Sequence, residues 1–367
     1  MRVLIASSDP GLVPSHVQAY LTLGWEVTTG VSSFYCRATP YDLIHLHWPE
    51  ELIGWQLPTY EAIKKLADTL RWWQKHARIV ATVHNLLPHR ACEHPLDWRL
   101  YETVYSAANL IGHFSNYSLD SVRALFPNVA AAKHVVHPPF LHPHMQELSV
   151  GRDRARSHFN LADSQFVILA FGQLRNQSEV GLVMRSLTLC DVSNLCILFA
   201  GRLAPTSIWQ RVQFNLRMKW LRRSASVQIF HGYIADAEAT AMFEAANLVL
   251  IPRSGRHLNS GVVSLAMSLG TPIVAPEYGA FAEHLRETMN VLYQSGNHRA
   301  MATAIEEIAQ LDRAEISASN SSRALNWGWD KSVSWYTHGV NASMDVDVRR
   351  RCALTRWGED HDRTNSP

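Results

Sequence analysis

The chain has 367 residues, 47% hydrophobic and 18% charged, which describes a globular protein long enough for two domains and excludes a disordered one. Its formal net charge of +2 gives no reason to invoke nucleic acid, and its 19 histidines hold extra positive charge in reserve for low pH. Five scattered cysteines (Cys36, Cys92, Cys190, Cys196 and Cys352) lack CxxC spacing, so they read as reduced, cytosolic packing residues rather than a disulfide frame or a zinc thiolate site.

The N-terminus reads as a strand, Arg2–Ala6, and a turn, too early broken for a signal peptide. No apolar run approaches the roughly 20 residues of a membrane span, so the expectation is a soluble or peripheral protein. Further strands are predicted at Glu26–Thr29, Leu43–Leu46, Ile79–Val83, Leu110–Phe114 and His134–Val136, each followed by a polar or helical segment. HPPFLHPHM, from His137 to Met145, suits an extended connection between domains. A second series follows at Phe166–Phe171, Cys196–Ala200, Val227–Phe230, Leu248–Ile251, Pro272–Ala275 and Val291–Tyr293. Its helices are expected at Val180–Leu189, Ile208–Arg223, Asp236–Ala246, Val262–Leu269 and His298–Leu311. The class is α/β, with two doubly wound Rossmann-like domains at 1–143 and 144–326 whose ligands sit outside the carboxyl ends of the strands, in the cleft between domains. The tail Ser343–Pro367 is polar and aperiodic and reads as disordered.

Several strand ends carry chemistry. In YDLIHLHWPEE the strand ends at His45-Leu46-His47, and Trp48-Pro49 turns the chain outward to present Glu50 and Glu51. An aromatic face beside a carboxylate suits a sugar, the ring stacking and the carboxylate taking a hydroxyl or its proton. ATVHNLLPHR ends another strand in His84 and Asn85, with His89 beyond a proline. HxH beside further histidines raises zinc, but no third ligand stands at metal spacing, so no metal is expected. In ILAFGQLRNQSE, Gly172 permits close backbone approach, and Gln173 and Arg175 follow, the arginine as a fork of donors for a diphosphate. PRSGRH adds Arg253 or Arg256.

NSGVVSLAMSLGTPIVAP reads as a polar turn, a small-residue helix, a Gly-Thr-Pro stop and a buried strand. A helix opening at Asn259-Ser260-Gly261 aims free N–H groups and a positive dipole end at an anion such as a nucleotide diphosphate. The helix Arg211–Arg223 carries five bases and no acid, with Phe214, Met218 and Leu221 as its core stripe; its solvated basic face is a candidate contact for anionic lipid. Trp72-Trp73, among Lys64, Lys65, Arg71 and Lys75, is a second candidate interfacial patch.

Together IHLHWPE, TVHNLLPH, FGQLR and NSG…LAMSLGTPIVAP resemble GT-B glycosyltransferases over nearly the whole chain to about residue 340. They resemble most narrowly the bacterial exopolysaccharide mannosyltransferases of the xanthan β-mannosyltransferase type, and more distantly the family-four glycosyltransferases. The resemblance implies a nucleotide-sugar donor on the C-terminal domain and a lipid-diphosphate-linked acceptor on the N-terminal one. It also implies a last helix near Trp329–Val340 that crosses back to complete the N-terminal domain. By motif, Gly172, Gln173, Arg175, Arg253, Asn259, Ser260 and Gly261 would hold the donor, and His47, Trp48, Asn85 and His89 the acceptor. Glu50 is the expected base of an inverting transfer, with Asp9 second and His84 beside them; no cofactor or metal is expected. The implied function is hexose transfer, mannose from GDP-mannose, in exopolysaccharide synthesis at the inner face of the cell membrane. Two alternatives are a retaining enzyme using a UDP-sugar and a catalytically silent GT-B partner. The chain departs from the family-four pattern in three places. Ser178-Glu179 replaces Lys-Gly, which is expected to weaken diphosphate binding; Leu265 replaces a glutamate, as in the mannosyltransferase subgroup; and Arg90 replaces an acidic residue.

Overall fold

The computed structural model describes residues 1–37, 40–88, 94–129, 132–137, 139, 143–172, 177–201, 212, 215, 216, 218, 219, 221, 222, 225–253, 258, 260–328 and 330–337. The chain divides into two compact units: Met1–His113, Leu119–His137 and Trp329–Pro367 form the first, and Phe114–Ser118 and Pro138–Gly328 the second.

The first unit is built on β1 (Arg2–Ile5), β2 (Glu26–Thr29), β3 (Leu43–Leu46), β4 (Arg78–Thr82), β5 (Leu110–His113) and β6 (Lys133–Val136), in the parallel order β2-β1-β3-β4-β5-β6. Its inner strands are buried on both faces, which is why they read as continuous apolar runs; Val3, Leu4 and Ile5 are all sealed. The helices of this part of the chain are α1 (Val13–Thr22), α2 (Val31–Cys36), α3 (Pro49–Leu52), α4 (Tyr60–Gln74), α5 (Asp97–Ala107) and α6 (Asn116–Leu125). Thr59 caps α4 by accepting from the Ala62 N–H at 3.1 Å.

The second unit carries α7 (Pro143–Glu147), α8 (Arg152–His158), β7 (Phe166–Phe171), α9 (Gln177–Leu189), β8 (Leu195–Gly201), β9 (Ser226–His231), α10 (Asp236–Ala245) and β10 (Leu248–Leu250). It continues with α11 (Gly261–Ser268), β11 (Ile273–Pro276), α12 (Gly279–Leu285), β12 (Val291–Tyr293), α13 (His298–Gln310) and α14 (Arg313–Ala324). Its sheet order is β12-β11-β10-β7-β8-β9, again parallel, with an apolar core on each side of the sheet. The order reverses between β7 and β10 in this sheet and between β1 and β3 in the other, and at such switch points doubly wound folds open their ligand crevices.

A last helix, α15 (330–337), belongs to the first unit. It is fastened by the Tyr336 hydroxyl, which lies 3.0 Å from Thr82 Oγ1 and 2.5 Å from His137 Nε2. A side chain on Gly112 would collide with that ring, its Cβ falling 2.7 Å from Tyr336 Cε1, so a glycine here is a packing requirement.

The twelve predicted strands are all present within a residue or two. Most of Ile208–Arg223, including Phe214, lies outside the described residues; Met218 and Leu221 are buried, as a core stripe requires. The tail Ser343–Pro367 also lies outside them. The Trp72-Trp73 patch needs correction: Trp73 is fully buried and donates Nε1–H to the Phe34 carbonyl at 2.9 Å, while Trp72 stacks on His76 at 4.0 Å. The cysteines are corrected too. Cys196 is buried and Cys190 half-buried, but Cys36 is exposed, and Cys92 and Cys352 lie outside the described residues.

Candidate functional site

In the second unit, β7 and β8 end side by side on Gly172 and Gly201, with φ of +91° and +128°. The Gly172 N–H donates to the Ala200 carbonyl at 2.8 Å, and a Cβ on Gly201 would stand 2.7 Å from the Gly172 carbonyl carbon. Only glycine lets these two strand ends close to that distance. The space in front of Gly172 faces Val262 Cγ2 and Arg253 Nη2, 3.7 and 4.0 Å from where its Cβ would be. Gly172, Arg253 and the first turn of α11 thus converge on the switch point of this sheet. Ser260 precedes α11 in extended conformation, with Gly261 as the first helical residue. Gln173, Arg175, Arg256 and Asn259 lie outside the described residues.

Arg253 is paired. Its Nη1 donates to Glu179 Oε2 at 3.0 Å, with the carboxylate side chain 1% exposed and the guanidinium 10%. The glutamate that stands out in the sequence as a harmful carboxylate is a buried counter-ion, while Ser178 beside it is exposed. On the other flank of the α11 start lies a small hollow lined by Ser260, Ser264, Phe281 and His284. Burial drives the His284 pKa down to about 4.

In the first unit, the expected catalytic carboxylates separate. Pro49 opens α3, and its one turn sends Glu50 and Glu51 to different partners. Glu50 is 4% exposed and accepts from the Tyr101 hydroxyl at 2.7 Å. Burial first, and the Glu50 charge next, push the Tyr101 pKa up, so that hydroxyl stays a donor. Glu51 spans the switch point from β3 to β1, accepting from Ser7 Oγ and the Ser8 N–H, both at 2.7 Å. Burial is the first cause that raises its pKa, with Asp9 repulsion adding to the rise and the two bonds opposing it. Asp9 is half-buried, and its Oδ1 accepts from the Gly11 N–H at 2.9 Å.

His47, Trp48 and His84 come together. His47 Nδ1 lies 3.1 Å from His84 Nε2, and the His84 ring stacks on Trp48 at 4.3 Å and 26°. Burial holds the His84 pKa down at about 3. Asn85 is half-buried beside them, its carbonyl accepting from the Tyr105 hydroxyl at 3.4 Å, and His89 lies outside the described residues. Sequence reasoning missed Tyr101, Glu179 as a counter-ion, and His16, whose ring lies 4.5 Å from His47. Each sits on another element, and no local spacing announces it.

The family model described as Glycosyl transferases group 1 matches residues 165–310. Two relatives from Xanthomonas campestris pv. campestris are named GDP-mannose:glycolipid 4-beta-D-mannosyltransferase. One is 23% identical over 264 residues, covering 69% of this chain and 67% of that one. The other is 23% identical over 243 residues, and the match spans 64% of this chain but only 61% of that relative. Among solved structures, sucrose-phosphate synthase from Thermosynechococcus elongatus superposes with a TM-score of 0.69 at 16% identity, covering 96% of this chain and 99% of that one. HepE from Anabaena in complex with UDP and glucose gives a TM-score of 0.67 at 16% identity, covering 95% and 100%. Residues 165–310 are therefore a glycosyl transferases group 1 domain, and the chain is a glycosyltransferase of the GT-B fold.

Proposed function

We propose that the chain transfers mannose from GDP-mannose to a lipid-diphosphate-linked oligosaccharide in exopolysaccharide assembly. The observation that carries this reading is the convergence of Gly172, Arg253 and the α11 N-terminus at one switch point, which is the donor-phosphate arrangement the motifs imply. The names of the Xanthomonas relatives support the donor and the glycolipid acceptor. In the reaction the bond from the anomeric carbon to the diphosphate oxygen breaks as an acceptor hydroxyl oxygen bonds to that carbon. Arg253, Arg175 and the α11 amides take up the charge growing on the departing diphosphate. No metal is needed for that step where fixed cations do the work.

For an inverting transfer, the structural surroundings favour Asp9 over Glu50 as the carboxylate that removes the hydroxyl proton. Glu50 is sealed beneath Tyr101, whereas Asp9 is half-buried with one oxygen engaged by the Gly11 N–H. Trp48 and His84, with Asn85 next in the chain, form the acceptor wall, an aromatic face suited to a sugar ring. The protein acts at the inner face of the cell membrane; among the described residues no helix is long and apolar enough to cross a bilayer.

A uridine-nucleotide donor with retention is the second reading, favoured by the UDP complexes of HepE. The test is a transfer assay with radiolabelled GDP-mannose or UDP-glucose and a glycolipid extract. Label moving to lipid from GDP-mannose alone supports the proposal. Label moving from UDP-glucose alone replaces its donor, and no transfer from either sugar with folded protein leaves the silent-partner reading in its place.

A further inference from the structure

His45 and His47 flank Leu46 at the end of β3, and the two-residue period of a strand turns both rings to one face. His16, on α1, packs onto that face. The ring centroids are 4.2 Å apart for His45 and His47, 4.5 Å for His16 and His47, and 5.2 Å for His16 and His45. One ligand nitrogen from each of the three lies within 4.8 Å of the others, and all three residues are buried. We propose that His16, His45 and His47 bind one zinc-class divalent ion that pins α1 to the end of β3.

The hydrogen bonds prepare the site. His16 Nδ1 lies 3.1 Å from the Leu12 carbonyl oxygen, which only accepts, so Nδ1 carries the proton and Nε2 presents its lone pair. That is the outer partner a metal-bound imidazole usually has. His47 is oriented through Nδ1 by His84, and its Nε2 has no hydrogen-bond partner among the described residues, a buried polar atom of the kind an ion satisfies. His45 touches hydroxyls through both nitrogens, Tyr20 at 3.0 Å and Thr82 at 2.8 Å. Ligation displaces one of them, and Thr82 has the Tyr336 hydroxyl at 3.0 Å to turn to. Burial keeps all three imidazoles in the neutral form that ligates, holding His16 down at about 3 and the other two well below their ordinary value.

A set of imidazoles without thiolate or carboxylate selects late first-row divalent ions over magnesium or calcium. Three histidines with an open fourth position is a set zinc accepts at about 2.0–2.1 Å per bond, which brings ligand nitrogens to roughly 3.4 Å from one another. Small side-chain rotations close the present spacing to that distance. The ion's role here is to hold α1 against the end of β3.

The test uses untagged full-length protein, stripped with chelator and given Co2+ or Zn2+ both when folded and during refolding, because the site is closed. One equivalent of Co2+ should survive dialysis, show the visible bands of four-coordinate cobalt and be displaced by Zn2+. X-ray absorption of the loaded wild-type protein should report about three imidazole ligands. Doubly substituted His16→Gln, His47→Gln protein that keeps its far-ultraviolet circular dichroism should lose the equivalent. Absence of a retained equivalent in the wild type, an absorption spectrum of oxygen ligands, or full binding in the folded double variant would each overturn the proposal. The first two readings need no variant to fold.

Discussion

In the proposed mechanism Asp9 takes the base's role first expected of Glu50, because of what surrounds each of them. The turn Trp48-Pro49 was legible in the sequence as an exit from β3, but not which of the two glutamates after it would face solvent; neither does. The partners that draw them in, Tyr101 on α5 and Ser7 and Ser8 after β1, are distant in sequence. Asp9→Asn is therefore expected to lower kcat by about 10²–10⁴-fold while nucleotide affinity holds, as for loss of a general base. Glu50→Gln keeps the shape and should leave substantial transfer activity; a complete loss in folded Glu50→Gln protein would restore Glu50 as the base. The Arg253–Glu179 pair gives a second residue-scale prediction. Removing one partner of a buried pair costs about 3–5 kcal/mol. Glu179→Gln should lower the urea midpoint accordingly, and saturating GDP should stabilise the variant more than the wild type by supplying the lost negative charge. Equal stabilisation of both by GDP would remove Arg253 from the donor site.

At the scale of elements, the strands were legible because parallel strands buried on both faces are short unbroken apolar runs, as in VILAF of β7 or LVL of β10. The start of α11 was legible from Ser260-Gly261 and its end from Gly270-Thr271-Pro272. The histidine cluster was not, because HxH at the end of β3 supplies two of the rings and His16 joins them from α1 by tertiary packing. The anchors of α15, Thr82, Gly112 and His137, carry no local mark in the sequence. Gly112→Ala should cost about 1–3 kcal/mol by overpacking the Tyr336 ring. It should also expose 330–337 to limited proteolysis at a protease dose that leaves the wild type intact. Unchanged cleavage and stability would mean Tyr336 moves aside freely. Asn297 caps α13 by accepting from the Arg299 and Ala300 N–H groups at 3.0 and 3.1 Å, and Asn297→Ala should cost about 1 kcal/mol in a denaturant titration.

For the whole molecule, buried histidines tie stability to pH in both units. Burial first, then His134, hold His113 of the first unit down at about 3, and burial holds His284 of the second at about 4. In the unfolded chain each takes up a proton near pH 6.5, while the folded protein refuses it until those lower values. The folded state thus binds fewer protons across that window, and stability falls as pH drops below 6.5, by about 1.4 kcal/mol per pH unit for each histidine. The urea midpoint should fall between about pH 7 and pH 5, and a flat midpoint would mean these rings are solvated. The doubly wound plan itself was readable from the alternation of strand and helix patterns, because each βα unit repeats the same burial problem; the donor nucleotide was not, since base-reading contacts leave no motif. The most direct test of the central claim is calorimetric titration of the full chain with GDP and with UDP, in chelator-treated buffer. The account predicts one GDP site per chain without magnesium and no comparable UDP site. Binding of neither nucleotide by folded protein would contradict it.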